Sequence, residues 1–148
     1  MASKKLAQRQ IFANITPLSG EDITGEDISG FFAQVSGGEI TAAVEKIYVG
    51  GSKFPEVLCA PSEVGDVTLT RHYSSDERTK LATLRKQVGR AYYEVKIYDT
   101  NCDLADKTSE RIYSKALLVG LSEPDGDSSS GAPATFALTF AVSGEPTQ

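Results

Sequence analysis

One stretch constrains the fold more than any other: VTLTRHY, then SSDERTKLATLRKQVG, then RAYYEVKIYDT. A strand pattern runs into one amphipathic helix and straight out into a second strand pattern. Ser74 stands where an N-cap belongs, with Glu77 three residues on, a capping-box spacing. Asp76 and Glu77 lie near the positive end of the helix dipole, Arg85 and Lys86 near its negative end. Leu81, Leu84 and Val88 form a single apolar stripe, and Gly89 fits the position just past the end. The spacing predicts a helix over about residues 75–88 lying on a sheet, with Arg78, Lys80, Arg85 and Lys86 turned outward.

Other ordered segments read as strand. Phe31, Ala33 and Val35 alternate with Phe32 and Gln34, and Gly37-Gly38 is a hairpin-turn signal. Residues 39–49 are apolar on both faces, as in a strand covered on both sides. Residues 50–65 read as a loop around a short strand at Glu56–Cys59, broken by Gly50, Gly51, Pro55, Pro61 and Gly65. Val67 and Leu69 oppose Thr68, Thr70 and His72. Ala91, Tyr93, Val95 and Ile97 oppose Arg90, Tyr92, Glu94, Lys96 and Tyr98. In a long strand over 110–121, Tyr113, Leu117, Val119 and Leu121 are expected on one face. The last strand sets Phe136, Leu138, Phe140 and Val142 against Thr135, Ala137, Thr139 and Ala141. The expected fold is mainly β: a β-sandwich or partly closed barrel of six to seven strands with one flanking α-helix.

Residues 1–28 read as an N-terminal arm, with the imperfect repeat GEDIT/GEDIS, and 29–148 as the β domain. The arm is either a flexible terminus or a segment that orders against a neighbouring subunit. Its acids lack the spacing of a calcium-binding loop.

Charge is unevenly spread. The chain carries a net charge of −5, yet residues 71–96 hold seven bases against three acids. A basic helix on an acidic remainder suggests surfaces of opposite sign that could meet in an assembly. A pI near 4.9 argues against general nucleic-acid binding through phosphates. No segment approaches the length of a membrane span, and the N-terminus lacks the apolar run of a signal peptide. Cys59 and Cys102 form no CxxC. They are expected as free thiols, with a disulfide as the alternative for a particle that lives outside cells.

No catalytic, cofactor-binding or metal-binding residue stands out. The single histidine, His72, shares a strand face with Thr68 and Thr70 and reads as a surface residue. One His and two scattered Cys do not make a zinc site. Gly50-Gly51-Ser52-Lys53 lacks phosphate-loop spacing, and no nucleophile elbow or facing carboxylate pair occurs. The chain is expected not to be an enzyme and to need no cofactor.

The order of elements adds a resemblance. Thr70-Arg71-His72-Tyr73, Gln87-Val88-Gly89, the segment Leu118 to Ser130 with its LxGxxEPDGDSSS pattern, and Phe136 to Ser143 together resemble the tail tube (major tail) proteins of tailed bacteriophages, over roughly residues 30–143. Tube proteins of contractile tails, pyocin-like particles and type VI secretion share that fold. The resemblance implies a structural virion protein of the tail, assembled in the host cytoplasm. Six copies would form a ring, and rings would stack into a tube through whose lumen genomic DNA passes without specific binding. Sheath, tape measure, baseplate or tail terminator would be its other partners. A negative lumen would repel phosphate, and Glu21, Asp22, Glu26, Asp27, Glu39, Glu45, Asp66 and Glu94 are the acids available for it. The competing reading is a small β-sandwich binding module, such as a tail-tip accessory or adhesin.

Overall fold

A computed structural model describes residues 5–18, 23–28, 30–51, 53–101, 107–124, 126, 128–129 and 131–142. Its strands are β1 (Ile11–Pro17), β2 (Gln34–Gly37), β3 (Ile40–Ala42), β4 (Glu45–Ile47), β5 (Glu56–Leu58), β6 (Ser62–Val64), β7 (Val67–His72), β8 (Tyr92–Thr100), β9 (Lys107–Ser122) and β10 (Thr135–Val142). A 3-10 turn at Ser75–Glu77 leads into α1 (Arg78–Gln87). Six strands form one antiparallel sheet in the order β1-β8-β9-β10-β7-β2. The sheet curls until its two edges meet. Ala13 of β1 donates its N–H to the Phe32 carbonyl at 3.0 Å and accepts the Phe32 N–H at 2.6 Å. The architecture is the mainly β, partly closed barrel with one helix that the strand patterns predict.

The core sits inside the curl. Val67 and Leu69 from β7, Tyr93, Val95 and Ile97 from β8, and Phe136, Leu138 and Phe140 from β10 are all buried. These faces match their alternation in the sequence, because period-2 patterning leaves an antiparallel strand only one way to face its core. The long strand β9 does not obey its simple alternation. Two of its residues, Ser114 and Lys115, oppose the single Glu94 of β8, and a second register shift between Thr139 and Phe140 leaves Val119 unopposed by β10. Each bulge flips the side chains beyond it. The inward set is therefore Tyr113, Ala116 and Leu118, with Leu121 packed against the core, while Val119 is exposed.

The expected arm also has structure. Ile11–Pro17 is a full strand, paired from Ile11 opposite Asp99 to Pro17 opposite Tyr93, with Ala13 and Ile15 in the core. Ile11, Ala13 and Ile15 alternate with Phe12, Asn14 and Thr16, and it is the first set that faces the core. Residues 23–28 form a strap across the start of β8. Gln87 grips the strap through one amide: its Nε2 donates to the Thr24 carbonyl at 3.2 Å, and its Oε1 accepts the Glu26 N–H at 2.9 Å. The Tyr93 hydroxyl donates to the Glu26 carbonyl at 2.9 Å, and Ile28 is fully buried. Gly25 lies against the Tyr93 ring so closely that a Cβ there would run into it.

The helix is shorter than its sequence signals suggest. Leu81 and Leu84 are buried and Val88 packs on the core, as the stripe predicts. Gly89 adopts φ +83°, and its N–H donates to the Leu118 carbonyl at 2.6 Å, which ties the helix end to β9. The capping box does not form: Ser74 makes no side-chain cap bond, and the first turn is 3-10. Glu77 has a stronger partner in Arg71, at 2.8 Å with both side chains largely buried. Arg71 also lies over the rings of Phe32 and Phe136, at 4.8 and 5.3 Å. A largely buried ion pair with a guanidinium that also stacks over aromatic rings outcompetes a backbone cap bond for the same carboxylate.

Candidate assembly surface

The region from 34 to 70 is a single antiparallel ribbon. Gln34 faces Thr70, Gly37 faces Val67, Ile40 faces Val64 and Ala42 faces Ser62 in one unbroken register. Gly37-Gly38 therefore does not make the tight turn that its sequence suggests. Both residues take positive φ, +87° and +76°, and the chain continues outward, with the Gly38 N–H donating to the Asp66 carbonyl at 3.1 Å. A Cβ on Gly37 would overlap that same carbonyl oxygen, so the glycine allows two backbones to approach. Beyond Ala42 the register slips by one residue, with two residues, Ala43 and Val44, opposite Cys59, Ala60 and Pro61. Pairing then resumes with Glu45 opposite Leu58 and Ile47 opposite Glu56. The base of the ribbon belongs to the sheet. Its outer part is a hairpin reaching on the order of 35 Å from the sheet, at about 3.3 Å per residue.

The segments expected as a covered strand and a separate loop are thus the two arms of one hairpin. Side chains of its outer strands are exposed on both faces within the chain, whereas Val64 at the base is half-buried and packs against the core. Eleven large apolar residues are exposed among the described residues, and eight of them lie between Ile40 and Leu58. Tyr48 and Phe54, near the tip, are 72% and 79% exposed. Apolar surface concentrated in this way on a projecting two-stranded ribbon makes it the candidate for an interaction site, and such a ribbon gains little stability from its own pairing. Five acids, Glu39, Glu45, Glu56, Glu63 and Asp66, lie on or beside the hairpin against Lys46 and Lys53.

The second exposed surface is the outward side of α1. Residues 78–93 contain five bases and no acid. Arg78, Arg85 and Lys86 are exposed and Lys80 is half-buried. Arg85 pairs with Glu123 of the loop after β9, at 2.6 Å on an exposed surface, so that pair contributes little to stability.

The acids considered for a negative channel are scattered. Glu21 and Asp22 lie outside the described residues. Glu26 and the exposed Asp27 are in the strap, and Glu39, Glu45 and Asp66 belong to the hairpin and its base. Glu94 is on the outer face of the sheet, 3.2 Å from Lys96, and holds that ammonium above its ordinary pKa through a hydrogen bond and its charge. His72 is exposed at the end of β7. Cys59 is a free, exposed thiol, and Cys102 lies outside the described residues. Where β1 and β2 part there is a cleft of about 420 Å³. Among the described residues that line it, Arg111 is the only charged one. Among the described residues no group of three or more His, Cys, Asp or Glu could hold a metal ion, and no helix is long and apolar enough to cross a membrane.

No family model and no curated protein sequence matches the chain. Solved structures do. A chain of the anti-feeding prophage (AFP) baseplate, 6-fold symmetrised, superposes with a TM-score of 0.73 at 20% identity, over 97% of this chain and 95% of that one. A chain of the sheath/tube terminator of an extracellular contractile injection system (PVC) in the extended state gives 0.72 at 16% identity, over 97% and 96%. A chain of the AFP tube terminating cap gives 0.71 at 14% identity, over 96% and 89%. The chain has the fold of proteins from phage-tail-like injection particles. At these identities the likeness concerns backbone architecture, and it extends over nearly the whole of each chain.

Proposed function

We propose that this chain is a structural subunit of the tube of a phage-tail-like particle, forming six-membered rings that stack into a conduit. The observation that carries this reading is the hairpin. It carries most of the exposed large apolar side chains among the described residues, on a projecting ribbon that a neighbouring molecule could cover. The shared fold with chains of sheath, tube, cap and baseplate assemblies supports the same class of role. In this reading the protein has no catalytic task, works in the particle's tail, and meets sheath, terminator and baseplate components at the tube's wall and ends. A nucleic acid or other cargo would pass through the lumen without specific contacts.

Mass in solution, followed by negative-stain imaging, tests the reading. Rings or tubes about 80–100 Å wide are expected, the size of six such domains around a central hole. A chain that stays monomeric at every concentration, and above all one that binds a glycan, would overturn it in favour of a binding module.

A further inference from the structure

We propose that the seat for the hairpin on the next copy of this chain is the outward face of α1. The inference rests on the tube reading and names the partner surface which that reading leaves open. On one face of the outer hairpin, Glu45 and Glu56 alternate with Ile47 and Leu58, since Glu45 pairs with Leu58 and Ile47 with Glu56. That face is apolar along one diagonal and acidic along the other. The exposed side of α1 has the complementary make-up. Thr79, Ala82 and Thr83 line a shallow depression of about 590 Å³, rimmed by Arg85, Lys86 and Gln87. Small side chains leave room for Ile47 and Leu58, and the surrounding bases meet Glu45 and Glu56.

Charge selects the partner. Residues 78–93 carry five bases and no acid, and although Glu123 pairs with Arg85, Arg78 and Lys86 stay exposed on the helix, while the chain as a whole is −5. A second copy therefore brings to it an acidic apolar hairpin, and its own helix would be repelled. Because hairpin and helix are different patches, each contact leaves one of each unused on the pair. The interface is heterologous and propagates into a ring or a stack instead of closing as a dimer.

Two measurements test this on the full-length chain. Arg78→Glu with Lys86→Glu, and separately Glu45→Lys with Glu56→Lys, should each reduce assembly in light scattering at least tenfold while circular dichroism shows a folded chain. The variant carrying all four changes should recover it. Independently, Ile47→Cys with Thr83→Cys, in a chain also carrying Cys59→Ser and Cys102→Ser, should give a ladder of disulfide-linked oligomers on air oxidation, which neither single cysteine gives. Tubes from the parent chain with no ladder, or charge reversals that leave assembly intact, would overturn the proposal, assign the helix face to a different partner and leave the tube reading standing. Absence of rings and tubes from the parent chain would remove both.

Discussion

Tyr93 shows how one residue joins several parts of the fold. Its ring is in the core beside Phe140, its hydroxyl end lies against Gly25, and its hydroxyl donates to the Glu26 carbonyl. Burial, together with the nearby carboxylates of Glu26 and Asp27, holds the phenol well above its usual pKa. The folded state therefore keeps its proton where the unfolded chain would release it. This contribution is complete below about pH 10 and is lost as pH rises above it. Tyr93→Phe should be less stable at pH 7 by about 1 kcal/mol, the worth of a typical hydrogen bond, and should lose less stability than the parent between pH 9 and 11. Urea unfolding across that range measures both. Gly37 is the second informative residue. Gly37→Ala forces a Cβ onto the Asp66 carbonyl at φ +87°, so its cost should exceed the roughly 1 kcal/mol of an unstrained glycine change, and it should loosen the hairpin at its base. Chemical denaturation and proteolysis of the 40–64 segment would show it.

At the scale of elements, helix, strap and hairpin differ in what they contribute. Leu84 is fully buried beneath α1, and Leu84→Ala should cost about 2–5 kcal/mol by thermal or denaturant unfolding. An unchanged melting temperature would mean that the helix is not packed as described. Deleting residues 1–28 should abolish cooperative unfolding, because it removes β1, the strap and the buried Ile28 along with the terminus. The hairpin should behave in the opposite way. Replacing Thr41–Glu63 with a short turn leaves the pairing of β2 with β7 intact, keeps Val64 on the core and removes mostly exposed residues. The shortened chain should fold with near-parental stability and fail to form tubes. Stability and assembly thus separate along the ribbon, near Gly37 and Gly38.

For the whole molecule, the assembly contacts proposed here combine apolar burial with opposite charges at an exposed surface. Charges of that kind are screened over about 8 Å at physiological ionic strength and about 3 Å at 1 M salt, whereas apolar burial is not screened. Assembly should therefore weaken between 0.05 and 0.5 M sodium chloride without vanishing, and light scattering across that series would show it. Salt-independent assembly would mean that strand pairing and apolar contacts carry the tube alone. The buried Arg71–Glu77 pair sets the contrast, since little solvent reaches it and the fold itself should be far less sensitive to salt than the assembly.

What the sequence determined by itself is whatever depends on local periodicity and local chemistry. Clean alternation in β7, β8 and β10 assigned their core faces, and the Leu81/Leu84 stripe with Gly89 assigned the helix, its buried side and its end. The mainly β class and the unequal distribution of charge follow from the same reading. Tertiary structure alone decided what depends on pairing across the chain. The bulges in β9 appear only when its neighbours are known, because an extra residue is defined by what lies opposite. Ile11–Pro17, read with the arm from its sequence, is a strand because β8 offers it an edge. Glu77 leaves its capping position because Arg71 is brought within reach. Residues 39–64 became an exposed hairpin for the same reason. Their apolar pattern stated that they are to be covered, and only the fold showed that nothing within the described part of the chain covers them.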